Sequence, residues 1–206
     1  TVRRAGSCGG KRVARQREFD RDEVINRAML LFWERGYEAT SIRDLIEVMG
    51  ISSSSMYDAF GDKRGVFLAA LARFCEHERA RIAQMARDEA APAQLIERLF
   101  DSLDEAVQSR THAQGSLAFN AMVEFGTRDP GVTQLLLDHY LAIGTIVADV
   151  IARGQQQGTV ASQQDSQALA FTILSALHGV AVVKGVKPDF PFSAAIAHIL
   201  SQSLQC

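Results

Sequence analysis

Apolar residues recur at three- and four-residue steps along most of this chain, and strand signals are almost absent. Val24, Ala28, Leu31 and Phe32 form one stripe, widened by Trp33 and closed by Gly36. Leu45, Ile46 and Met49 form a second, opened by Ser41 as N-cap with Asp44 three residues on, and ended by Gly50. Ser52 then caps a short third helix, with Met56 and Phe60 on one side and Ser53, Ser54 and Ser55 on the other. Lys63 to Ala86 is a long Ala-rich amphipathic run. Further helices are expected from Pro92 to about Ser109, Gly115 to Phe125, Pro130 to about Gly154, Ser166 to about Lys184, and Ser193 to Leu204. Val180 to Val183 is too short for a strand and sits inside a helical pattern. The fold class is all-α.

Residues 41–63 carry the most information. A capped helix, a glycine turn and a second helix with small polar residues on one face make a helix-turn-helix, whose second helix enters a DNA major groove. The competing reading is two short helices in some core, with the serines as solvated surface. The flanking segments favour the first reading, because an amphipathic helix precedes the motif and a long one follows it.

The run LFWERGYEATSIRDLIEVMGISSSSMYDAFGDKRGVFLAAL resembles the N-terminal domain of the TetR family of transcriptional regulators. The resemblance covers about residues 19–71 and rests on Leu31-Phe32, Gly36-Tyr37, Thr40-Ser41, Gly50-Ile51-Ser52, Met56-Tyr57, Phe60, Lys63 and Val66-Phe67. Gly115-Ser116-Leu117 with Asn120 and Glu124, then Asp129-Pro130 with Val132, resembles one branch of that family; some of its members carry a cysteine where this chain has Ser116. The resemblance implies a helical homodimer that binds a pseudo-palindromic operator and holds a small-molecule pocket in its C-terminal part. It implies DNA contacts from Ser41, Arg43, Ser53, Ser54, Ser55, Tyr57 and Lys63. Ala59 would suit a thymine methyl. Asp58 departs from the family pattern, and would accept from a cytosine amino group or pair with Arg43 or Lys63.

The expected organisation is a flexible basic arm (1–17), a helix-turn-helix domain (18–64) and a ligand-binding and dimerisation domain (65–206). Net charge is only −2, but residues 1–17 hold six Lys and Arg residues and no acid. Such an arm can track phosphates, and Arg15 and Arg17 lie nearest the fold. Three cysteines, at 8, 75 and 206, have no metal spacing and no obvious pairing. With no apolar secretion signal, they suit a reducing cytoplasm. No metal and no cofactor is expected. Nor is a membrane partner, since the most apolar stretch, Ala168 to Val183, is interrupted by Thr172, Ser175, His178 and Gly179. That stretch is apolar nearly all round and needs a second partner, so a two-fold dimer contact is expected through the helices at about 166–184 and 193–204.

Phe74, Met85, Phe100, Phe119, Met122, Phe125, Tyr140 and Phe171 are candidates to line a pocket. Asn120, Glu124, His139 and His178 are the polar groups that could orient a ligand. A small hydrophobic or aromatic effector fits such a lining. An all-α enzyme is the rival from another class, but no Gly-rich phosphate loop, His-Glu-x-x-His or Gly-x-Ser-x-Gly is present. A DNA-binding activator or architectural protein without a ligand is the closer alternative.

Overall fold

The computed structural model describes residues 19–89, 91–108, 115–161 and 164–204. Among them are nine helices and no strand. The expected arm, with Arg15 and Arg17, lies outside the described residues.

Caps set most of the helix ends. Asp20 accepts from the Asp22 and Glu23 amides to start α1 (Arg21–Arg35), and acids in the first turn favour the helix dipole. The Ser41–Asp44 capping box starts α2 (Ile42–Met49), and Gly50, at φ 68° and ψ 28°, ends it in the left-handed region. Ser52 caps α3 (Ser53–Phe60), and Asp62 caps α4 (Lys63–Asp88). Next come α5 (Pro92–Gln108), α6 (Leu117–Phe125, capped by Ser116) and α7 (Pro130–Gln156, capped by Asp129). The last two are α8 (Ser166–Val186, capped by Asp165) and α9 (Ser193–Ser203).

Two apolar cores sit one behind the other. The first is built from α1 to α4 with α6 and the start of α7. At its centre Phe32 meets Phe67 edge-on at 5.0 Å, and Phe67 stacks on Phe125 at 5.1 Å. The second joins α5, α7, α8 and α9 to the end of α4. There α7 and α8 cross so closely that a Cβ on Gly144 would lie 2.4 Å from the Phe171 ring. A buried Lys184 pairs with Asp104 at 2.9 Å, and Ser193 donates to the same carboxylate at 3.0 Å, tying α8 and α9 to α5.

The 26 residues of α4 span about 39 Å and run through both cores. Val66, Phe67, Ala70, Leu71 and Phe74 belong to the first, Ile82 and Ala86 to the second. Position 64 thus falls in the first turn of α4, and the first core draws Leu117, Phe125, Val132 and Leu136 from beyond it. The head is packed on α6 and α7 as well as carried by α4. A bidentate ion pair from Arg64 to Asp129 adds to this seam, and the guanidinium holds the Asp129 carboxyl well below the usual carboxylate range.

By length and composition α7 and α8 could each cross a bilayer, although the sequence offers no uninterrupted apolar run of that length. In this fold they bury Ile143, Val147, Ile151, Ile173 and Leu174 in the shared core.

Candidate functional site

The motif forms one exposed edge. Ser53, Ser54, Tyr57 and Asp58 of α3 face outward, while Met56 is fully buried beneath them. Arg43, on α2, is exposed beside Ser41. The Ser41 hydroxyl is engaged with Asp44, so it serves the cap first. Ser54 and Ser55 are likewise tied to the Ser52 hydroxyl at 2.9 Å each, and Ser55 and Ala59 are half-buried. Asp58 pairs with neither Arg43 nor Lys63 among the described residues. Lys63 instead sets its ammonium 4.2 Å over the Tyr37 ring.

Tyr37 is the point where this edge meets the rest of the chain. Glu124, near the end of α6, accepts from the Tyr37 amide at 3.0 Å and the Glu38 amide at 2.8 Å. Both amides belong to the corner between α1 and α2, so one carboxylate holds that corner to α6. At its other end α6 is capped by Ser116, whose hydroxyl donates to Glu78 on α4 at 3.3 Å.

Glu78 lines a cavity of about 680 Å³ between α1, α4, α5 and α8. Of the expected lining residues, Phe74, Met85 and His178 face it. The others do not. Phe100 is fully buried in the second core; Met122 packs on the first core and Phe125 lies within it, against Phe67. Phe119 stacks on the outer face of the His178 ring at 4.8 Å, and Tyr140 packs on Phe171 at 5.4 Å in the α7–α8 seam. Asn120 faces a second, smaller cleft of about 430 Å³ beside Glu124. Each of these aromatic and Met positions has the spacing of a buried helix face, and here that face meets another helix instead of a void. His139 is buried and bonds to Glu78 at 2.8 Å, making it a second anchor for that carboxylate.

The sequence reading missed Met29, Trp33, Arg81, Arg98, Leu99 and Ser102 on the cavity wall. One signal was available: Phe74, Glu78, Arg81 and Met85 continue the buried stripe of α4 at steps of four, three and four with charges in it. Trp33 crosses Phe74 edge-on at 4.8 Å and donates its indole N–H to the Gly115 carbonyl at 2.7 Å. Cys75, next in the chain to Phe74, is buried, and burial pushes its thiol up to about 12.

The buried Nδ1 of His178 has no partner at full hydrogen-bond geometry, and the Leu174 carbonyl one turn back favours the protonated ring. Burial lowers its pKa from the ordinary 6.5, with Glu78 partly opposing. The folded state therefore binds this proton less readily than the unfolded chain. The stability involved is intact above about pH 6.5 and is lost as pH falls toward the lowered folded value. The melting temperature should drop more between pH 7.5 and 5.5 for the parent than for His178→Gln. Equal drops would show that this ring is not a source of acid sensitivity.

Comparison with known proteins decides the family. Residues 24–70 match the family described as bacterial regulatory proteins, tetR family, and residues 92–188 match the tetracyclin repressor-like C-terminal domain. The chain belongs to the TetR family. It is 26% identical over 176 residues to the HTH-type transcriptional repressor ComR of Escherichia coli (strain K12), covering 85% of this chain and 84% of ComR. It is 31% identical over 118 residues to the uncharacterized HTH-type transcriptional regulator YezE of Bacillus subtilis (strain 168), spanning 57% of this chain and 61% of YezE. Among solved structures, a cysteine mutant of the TetR family transcriptional regulator CifR, complexed with 26-bp double-strand operator DNA, superposes with TM-score 0.81. It is 26% identical, covering 93% of this chain and 100% of that one. This TetR chain is a helix-turn-helix, DNA-binding transcriptional regulator, and the relatives named above are transcriptional regulators.

Proposed function

We propose that this protein is a homodimeric repressor released from a pseudo-palindromic operator by a small apolar effector. The observation that carries the sensing half is the cavity: one of its walls is α4, which is also the last helix of the DNA-reading head. A ligand that displaces α4 by a few ångströms moves α3 with it, since the two are joined only by Gly61 and Asp62. The Ser116–α6–Glu124 connection gives a second route, from Glu78 on the cavity wall to the α1–α2 corner. The effector must bind the DNA-incompetent state more tightly, because equal affinity for both states shifts nothing.

In this reading α3 enters the major groove, with Ser53, Ser54, Ser55, Asp58 and Ala59 toward base edges. Arg43, Tyr57, Lys63 and the cap at Ser41 hold the phosphates. Two copies pair through α8 and α9. Along α8, Ala168, Thr172, Ser175, Gly179, Val182 and Val186 form an exposed stripe at steps of four and three. On α9, Phe192 and Ile199 are also exposed. So much apolar surface on adjacent helices marks an interaction face. The alternative of a regulator without a ligand loses support from a void of this size between α1, α4, α5 and α8.

The test is a screen of small apolar compounds for release of labelled operator DNA from the purified protein. At least one compound should lower operator affinity and bind in the cavity. If compounds bind there without changing operator affinity, the coupling is wrong; if none binds, the sensor is.

A further inference from the structure

The geometry points to an apolar carboxylic acid as the class of effector, its acid group held by Arg81 and its body lying on Trp33, Phe74 and Met29. This rests on the cavity being the sensor site.

The cavity has a wet end and a dry end. His77, Arg81 and Glu105 are exposed at its mouth, whereas Met29, Phe74 and Leu99 are buried at its floor. Trp33 has spent its one polar group on Gly115, so it presents only an apolar ring. A ligand filling this space is apolar at one end and polar at the other. At about 680 Å³ the cavity lies in the size range of small-molecule sites.

The sign of the polar end follows from which charges are already matched. Glu105 is paired with Arg98 at 2.8 Å. Glu78 receives His139 at 2.8 Å and Ser116 at 3.3 Å. Arg81 has no acid partner among the described residues. Its Nη1 donates to the Ser102 hydroxyl at 3.1 Å and points at the Met85 sulfur, which leaves Nε and Nη2 unengaged. A guanidinium with two free nitrogens on one edge matches a carboxylate bidentately. The Ser102 hydroxyl, which donates to the Leu99 carbonyl at 2.8 Å and accepts from Nη1, fixes the guanidinium in this orientation.

Three probes of one shape separate the possibilities: 4-phenylbutyrate, its primary amide and 4-phenylbutylamine. Each is titrated against the full chain by calorimetry and by melting temperature. The acid should bind at least ten-fold more tightly than the amide or the amine. Arg81→Gln should erase that preference, and Arg81→Lys should keep part of it. The inference is overturned if the amide or amine matches the acid, or if the preference survives Arg81→Gln. It is also overturned if none of the three binds while a neutral compound from the operator-release screen does; the sensor reading then stands. Only if no compound of any class binds the cavity does that reading fall too.

Discussion

Gly179→Glu is expected to convert the protein from dimer to monomer and to reduce operator affinity at least 100-fold. Gly179 sits on the exposed stripe of α8, and a Cβ there meets nothing within 4 Å. The fold of the single chain therefore tolerates a side chain at this position. In the proposed dimer the same side chain is trapped against the two-fold mate, with the mate's own Glu close to it. Stranding an unpaired charge in an interface costs about 3–5 kcal/mol, which corresponds to roughly 100-fold or more in the dissociation constant. Operator binding falls with it, because a lone recognition helix gives up the second half-site. Sedimentation velocity measures the first effect and thermal unfolding controls for the second chance, that the chain has simply unfolded. A folded, intact Gly179→Glu dimer would move the interface elsewhere.

Gly65→Ala should be the most damaging single methyl in the DNA-reading head. Gly65 is the third residue of α4, and the tight corner at Gly61 and Asp62 brings it under the end of α3. A Cβ there would lie 1.8 Å from the Phe60 carbonyl oxygen and 3.0 Å from its carbon. Backbone cannot step aside as a flexible side chain can, so α3 must shift against α4. Overpacking of this kind costs about 3 kcal/mol at the upper end of its usual range. The same movement misplaces the recognition helix, so operator affinity should fall by more than stability alone explains. Gly126→Ala is the control: its φ is 54°, but open space surrounds it. At ψ −124° it should cost the strain of a backbone conformation that L residues rarely adopt, about 1–3 kcal/mol, and leave operator binding alone. Equal losses of operator affinity in the two variants would dispose of the steric argument.

Helix positions and caps were legible in the sequence because their causes are local. The Ser41–Asp44 box, Gly50, Ser52 and Pro130 each act within one turn of the residue they control, and each appears where expected. The run expected from Lys63 to Ala86 extends two residues farther, to Asp88. The cavity was legible only in part. Phe74 and Phe100 look alike in the sequence, as apolar residues on a helical stripe. One faces a void and the other a neighbouring helix, and the spacing between helices decides which. Arg81, Arg98 and Glu105 join the site only because α5 lies against α4. The buried Lys184–Asp104 pair has no local signature either, since its partners stand on different helices. Glu124 is an intermediate case: it was singled out as a polar group to watch, but its role at the Tyr37 and Glu38 amides depends on where α6 packs.

Docking of α3 and the start of α4 on DNA is tested by an operator titration across salt concentrations. Labelled DNA from upstream of the protein's own gene is titrated with the parent and with the double variant Tyr57→Phe, Lys63→Ala. Tyr57 is exposed, and its hydroxyl is assigned to a phosphate; a hydrogen bond to a charged group contributes about 1.5–3 kcal/mol. Lys63 supplies one released counterion. The parent should bind as two copies per site. The double variant should bind every sequence more weakly, with a salt slope smaller by about one. A double variant with the parent's affinity and the parent's slope would contradict this docking.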